Sequence, residues 1–378
     1  MWLLTSPSVF PEDSAGRAEL IAALQSISQF ADVGVVSNHS EPDWFAAEVD
    51  GAKVNFLRVA GRQQGTWLRE AAAENGVSAH QVIVLAGSLD DIQMSTNNSA
   101  LLVGAGWVDD EGVTERGLKV PHPNELEGLV KLYADWDGRS WYRAQGPSYT
   151  VEALCDVSTL RKGLEQERFG GLVTDAVKHA TPRLNGLLAV AAGTLVRSGV
   201  IHEGDLLWGA YPSSKSTNEE EEAMCDFTHR LRTSLSRVWF AKREVPLFWR
   251  HQPAPKRSAG EGGDREDPTS EVESLHLNPY YRKGKRLRGR NVILLDDCTT
   301  YGVSMGVAAG FLRKAGALSV TCLAVGKFGR RLGCYDVKVN SSPFRPVEAG
   351  NWSVEHRTWT EESESGTDQA TLRRLLLG

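Results

Sequence analysis

The chain of 378 residues contains no run of 18 apolar residues, which excludes an ordinary membrane-spanning helix. It has no surplus of basic charge either. Its 42 Lys and Arg face 48 Asp and Glu, for a formal charge of -6, and such a balance argues against a nucleic-acid binder. Cysteine is scarce and scattered: Cys155, Cys225, Cys298, Cys322 and Cys334 stand at no paired or metal-ligand spacing. An odd, dispersed set fits reduced thiols, so a cytoplasmic location is expected. Residues 1–7 carry no basic leader. The length suffices for two domains with separate cores.

The most informative stretch is residues 291–306. Val292, Ile293, Leu294 and Leu295 run into Asp296 and Asp297, a turn bearing Thr299, Thr300, Tyr301, Gly302 and Ser304 follows, and an apolar helix is expected over 307–316. A continuous apolar run reads as a buried parallel strand. The turn collects backbone N–H groups, hydroxyls and a helix N-terminus at one point, which suits a phosphate. Two carboxylates would repel that phosphate. They suit vicinal sugar hydroxyls or a magnesium ion, and a ribose bearing a 5′-phosphate satisfies both halves.

The segment Asp296-Asp297-Cys298-Thr299-Thr300-Tyr301-Gly302-Val303-Ser304 resembles the phosphoribosyl pyrophosphate (PRPP) signature of the type I phosphoribosyltransferases. Tyr301 departs from the pattern, standing where a small hydroxyl residue is usual. The resemblance implies catalytic roles for Asp296 and Asp297 at the ribose hydroxyls, with Mg²⁺ met through those hydroxyls or water. It assigns Thr299, Thr300, Tyr301, Gly302, Val303 and Ser304 to the 5′-phosphate. One strand and one helix earlier, Ser213, Ser214 and Lys215 occupy the place of that family's pyrophosphate loop, where hydroxyls and one lysine supply donors and a point charge. The four glutamates at 219–222 are expected in the helical turn that follows. A Gly- and acid-rich insertion lies within residues 251–290. In the resembled family a mobile loop there carries basic residues to the leaving group, which makes Lys256, Arg257, His276 and Arg282 the candidates.

The first 125 residues also alternate strand and helix, with strands expected over 2–6, 33–38, 81–87 and 100–104 and helices over 15–29 and 62–75. Ser37 at a strand end and Gly87-Ser88-Leu89-Asp90-Asp91 are similar to the second and fourth motifs of haloacid dehalogenase-like phosphatases. That family needs Asp-x-Asp after its first strand, and here the place reads Thr5-Ser6-Pro7-Ser8. Without a carboxylate nucleophile the phosphatase reaction is not available. Only Asp90 and Asp91 remain to meet a cation.

The expected fold class is therefore α/β, with two doubly wound domains: haloacid dehalogenase-like over 1–125 and phosphoribosyltransferase-like over 151–345. A linker bearing Trp136, Trp141 and Tyr142 over 126–150 and a tail over 346–378 complete the chain. Strands are expected over 205–211, 236–242, 291–296 and 320–325, with helical pattern over 165–200 broken at Pro182. The resemblance implies a cytoplasmic transferase of nucleotide metabolism. Its partners are PRPP, Mg²⁺ and an unidentified nucleobase-like acceptor, with no nucleic acid and no membrane; the reading admits a homodimer. A PRPP-binding regulator without turnover and a phosphoribosyl or nucleotide hydrolase are the alternatives.

Overall fold

The computed structural model describes residues 1–49, 53–146, 148–202, 206–215, 223–235, 245–254, 264–360 and 366–377. The chain divides into two compact units. The first comprises Met1–Trp136, Leu188–Gly193 and His229–Val238; the second comprises Asp137–Leu187, Thr194–Thr228 and Trp239–Gly378.

The first unit is built on a six-stranded parallel sheet flanked by helices. Its strands are β1 (Trp2–Thr5), β2 (Asp32–Ser37), β3 (Val54–Arg58), β4 (Val82–Ala86), β5 (Leu101–Ala105) and β6 (Leu118–Val120). Every residue of β4 and β5 is buried, as expected where both faces of a parallel sheet are covered. The spatial order β3-β2-β1-β4-β5-β6 reverses direction between β1 and β4. At such a reversal the connections leave on opposite sides, and the strand carboxyl ends bound a crevice. The edge strands β3 and β6 were not expected from sequence. β3 buries only Val54 and β6 has three residues, so neither shows the continuous apolar run that marks β4 and β5.

In the second unit the strands are β7 (Tyr142–Gln145), β8 (Thr150–Asp156), β9 (Leu206–Ala210), β10 (Phe248–Arg250), β11 (Leu275–Leu277), β12 (Asn291–Thr299), β13 (Ser319–Lys327), β14 (Leu332–Val339) and β15 (Trp352–Thr360). The main sheet has the order β7-β8-β13-β12-β9, parallel except for β7. β10 and β11 form one antiparallel pair, β14 and β15 another. The helix Val303–Lys314 lies close against β14. A Cβ at Gly306 would stand 2.5 Å from the Tyr335 Cβ, and one at Gly310 would stand 2.4 Å from the Val337 carbonyl oxygen. Small residues one turn apart permit that approach.

The boundary between units falls at Trp136 and Asp137 rather than in a separate linker. Residues expected as linker form the helix Leu126–Asp135 in the first unit and β7 in the second. The expected tail is also structured. β15 pairs along β14, and the helix Gly366–Leu377 follows it, with the Gln369 side chain donating to the Asp156 carbonyl. The expected strand over 236–242 and the glutamates at 219–222 lie outside the described residues.

Candidate functional site

β12 continues three residues past the expected strand end. On one side its pairing with β9 stops at Leu295 and Ala210; on the other its pairing with β13 runs on to Thr299 and Lys327. Asp296 and Asp297 therefore sit in a strand that has lost one neighbour, and the strand's alternation sends them to opposite faces. Asp296 is 8% exposed and Asp297 half-buried. The Asp296 carboxyl accepts from the Asp297 backbone N–H at 2.9 Å and from Ser304 Oγ at 3.2 Å. Burial first, and then the Asp297 charge, push the Asp296 carboxyl well above the ordinary carboxylate range.

The turn after the acids is tied down from below. Gly302, at φ +81°, caps the helix Val303–Lys314, and a Cβ there would meet the Gly333 carbonyl oxygen at 2.9 Å. Fully buried Lys327 sets its ammonium group among the carbonyls of Thr300 (3.1 Å), Phe328 (3.3 Å), Gly329 (2.9 Å) and Arg331 (2.8 Å). Burial lowers its pKa to about 8, which leaves it protonated at neutral pH. Phe328 N–H donates to the Thr299 carbonyl and Gly333 N–H to the Tyr301 carbonyl, both at 2.9 Å. All three loop carbonyls are thus engaged, and none of them is left to repel an anion. Thr299 through Ser304 line an open cavity of about 140 Å³. Thr299 Oγ1, in a residue 2% exposed, has no hydrogen-bond partner among the described residues.

Of the residues expected for pyrophosphate, Ser213 and Lys215 are exposed and Ser214 is half-buried. The backbone beneath them is held by Arg250, a residue 3% exposed whose Nε donates to the Ser213 carbonyl at 2.8 Å. The same guanidinium donates to Ser274 Oγ at 2.5 Å and to Glu271 Oε2 at 2.8 Å; the Tyr211 hydroxyl reaches that oxygen at 2.6 Å. Glu271 in turn lines the cavity. Neither Arg250 nor Glu271 carries a sequence signature: Arg250 ends a short apolar stretch, and Glu271 is one of several acids in its segment.

The basic residues expected on a mobile loop fall in different places. Lys256 and Arg257 lie outside the described residues. His276 is not on a loop: it is buried on β11, its Nδ1 is 3.0 Å from the Leu277 carbonyl oxygen, and its ring stacks on His251 at 5.5 Å. Arg282 is exposed on the 3-10 turn Pro279–Lys285. The basic residue from this segment that lines the cavity, among the described residues, is Arg265. Its guanidinium lies 5.6 Å from the Tyr301 ring centroid and 3.5 Å from Thr300 Oγ1. The Gly- and acid-rich surroundings of Arg265 masked it in the sequence.

The first unit has its own polar crevice where β1 and β4 end. Asp91 is fully buried. Its Oδ2 accepts from Ser6 Oγ, Ser8 Oγ, Ser88 Oγ and Gly87 N–H, each at 2.9 Å. Its Oδ1 pairs with the Arg62 guanidinium, itself almost fully buried. The cation that Asp91 meets is thus a side chain of the same unit. Five donors on one carboxylate exhaust its acceptor capacity.

Comparison with protein-family models, curated proteins and solved structures finds no match to this chain.

Proposed function

We propose that the second unit is a Mg²⁺-dependent phosphoribosyltransferase that takes PRPP as donor and a nucleobase-like acceptor, releasing pyrophosphate. One observation carries this reading. Two adjacent acids stand at the open end of a central parallel strand, and six residues on, Gly302 caps a helix whose first turn lines a cavity with Thr299 to Ser304. Carboxyls and an anion cradle at that separation match a sugar joined to a phosphate.

In the proposed reaction a ring nitrogen of the acceptor attacks C1 of the ribose, and the C1–oxygen bond to pyrophosphate breaks. Asp296 and Asp297 hold the 2′- and 3′-hydroxyls and stabilise the positive charge that develops at the ring. Thr299, Thr300, Tyr301, Gly302, Val303 and Ser304 hold the 5′-phosphate through hydroxyls, N–H groups and the helix terminus. Ser213, Ser214 and Lys215 take the diphosphate, on backbone that Arg250 positions. Among the described residues no cluster of three or more His, Cys, Asp or Glu could cage a metal. Two carboxyls beside substrate oxygens are the usual protein share of a magnesium site, so Asp296 and Asp297 fit the ion. Bound Mg²⁺ would neutralise the diphosphate as it leaves.

We read the first unit as a haloacid dehalogenase-like fold, doubly wound like the second, without phosphatase activity. Its strand order supports the doubly wound topology. The hydroxyl residues at its first strand end, and the commitment of Asp91 to Arg62, support the silence.

Titration calorimetry with PRPP and Mg²⁺, followed by an assay for released pyrophosphate, tests the reading. Binding that is lost in the Asp296→Asn, Asp297→Asn double variant, with release that depends on an added base, is the expected result. Binding without release under any acceptor would favour the regulator, and release of free ribose 5-phosphate into water the hydrolase.

A further inference from the structure

Arg265 has chemistry that the proposed reaction has not yet used. It is half-buried and lines the same cavity as Thr299 to Ser304. Among the described residues no carboxylate pairs with it. The one acid lining that cavity, Glu271, already accepts from Arg250 and Tyr211 through Oε2. What Arg265 does contact is the face of the Tyr301 ring, with Thr300 Oγ1 at 3.5 Å. A guanidinium withdrawn partly from water without a counter-charge is electrostatically incomplete, and an aromatic face offsets only part of that cost.

Two other features of the cavity ask for the same thing. The helix Val303–Lys314, twelve residues long, opens into it with no side-chain cap on its N-terminus. Thr299 Oγ1 is buried there with no partner among the described residues. Among the described residues, an unfilled hydroxyl, an uncapped helix start and an unpaired cation on one cavity describe a site for an oxyanion.

We propose that Arg265, held over the Tyr301 ring, is the cationic contact that makes this cavity select a phosphate monoester, and that Tyr301 is its positioning residue. This deepens the phosphoribosyl reading and rests on the same cavity. It gives the departure at Tyr301 a purpose: where the resembled signature has a small hydroxyl, this chain has a ring that orients a guanidinium arriving from another segment. The planar fork then meets two phosphate oxygens at once, which a lysine in the same place cannot do.

The test titrates the full chain with ribose 5-phosphate, with ribose, and with inorganic phosphate as the minimal probe. Wild type is expected to bind ribose 5-phosphate and phosphate and to ignore ribose. Arg265→Gln should weaken both anions at least tenfold, and Arg265→Lys should recover only part of the loss. Tyr301→Leu should weaken them several-fold. In the Arg265→Gln, Tyr301→Leu double variant the loss should equal that of Arg265→Gln alone, since the ring acts through the guanidinium. Unchanged phosphate affinity in Arg265→Gln would overturn the proposal, and additive losses in the double variant would overturn the role given to Tyr301. The broader reading fails separately: a wild type that binds phosphate through Arg265 but does not bind PRPP keeps the anion site and loses the transferase.

Discussion

Asp296 is buried beside Asp297, and ionising it there costs stability. In the folded chain Asp296 keeps a proton that the unfolded chain would release above the ordinary aspartate range. Where the native state binds more protons, stability falls as pH rises. The fall begins above the unfolded aspartate value near 3.8 and ends once the raised Asp296 value is passed. Burial is the larger cause and stays, but removing the neighbouring charge relieves part of the fall. Asp297→Asn is expected to raise stability at neutral pH by about 1 kcal/mol, with no gain near pH 3, and to lose PRPP turnover. Denaturant melts at the two pH values check this; a variant less stable than wild type at neutral pH would contradict it. In the first unit the opposite holds for Arg62. Arg62→Met strands the buried Asp91 carboxylate, and a buried pair broken from one side costs about 3–5 kcal/mol. Chemical denaturation should show that loss, and a change under about 1 kcal/mol would mean the pair is not buried in solution.

At the scale of elements, the turn between β12 and the helix Val303–Lys314 is where backbone and function meet. Gly302→Ala combines a left-handed φ with a Cβ 2.9 Å from the Gly333 carbonyl oxygen. The strain should cost about 1–3 kcal/mol and weaken PRPP binding more than it weakens the fold. A melt and a calorimetric titration on one sample separate the two effects; unchanged binding would show that the turn does not touch the ligand. This turn was readable in sequence because a strand, two acids, a glycine and a helix follow one another within sixteen residues. The clamp beneath it was not. Lys327 follows an apolar strand as any surface lysine might, and only the fold brings four carbonyls around it. Arg250 and Glu271 are likewise 21 residues apart in the chain and meet through tertiary structure. The extension of β12 through Thr299 was hidden because two acids look like a strand end, yet β13 continues alongside them.

For the whole molecule, the alternation of strands and helices was enough to expect α/β architecture, but the partition of the chain was not legible. The first unit draws on Leu188–Gly193 and His229–Val238, far along the chain from Met1–Trp136. Gly117, at the start of β6, shows the dependence: its N–H donates to Thr233 Oγ1 at 2.9 Å and its carbonyl accepts from Arg230 Nε at 3.2 Å. A fragment ending at residue 136 loses both partners. It is expected to lack a cooperative thermal transition when expressed alone; a sharp melt matching a transition of the full chain would contradict the assignment of those segments.

The most direct test of the central claim is pyrophosphate release from PRPP and Mg²⁺ in the presence of a panel of purine and pyrimidine bases. Wild type and the Asp296→Asn, Asp297→Asn double variant would be compared after both are shown to melt as folded proteins. Base-dependent release by wild type is expected, with a loss of at least about a hundredfold in the variant, the order seen when transition-state charge stabilisation is removed. Equal release by the two proteins would contradict it.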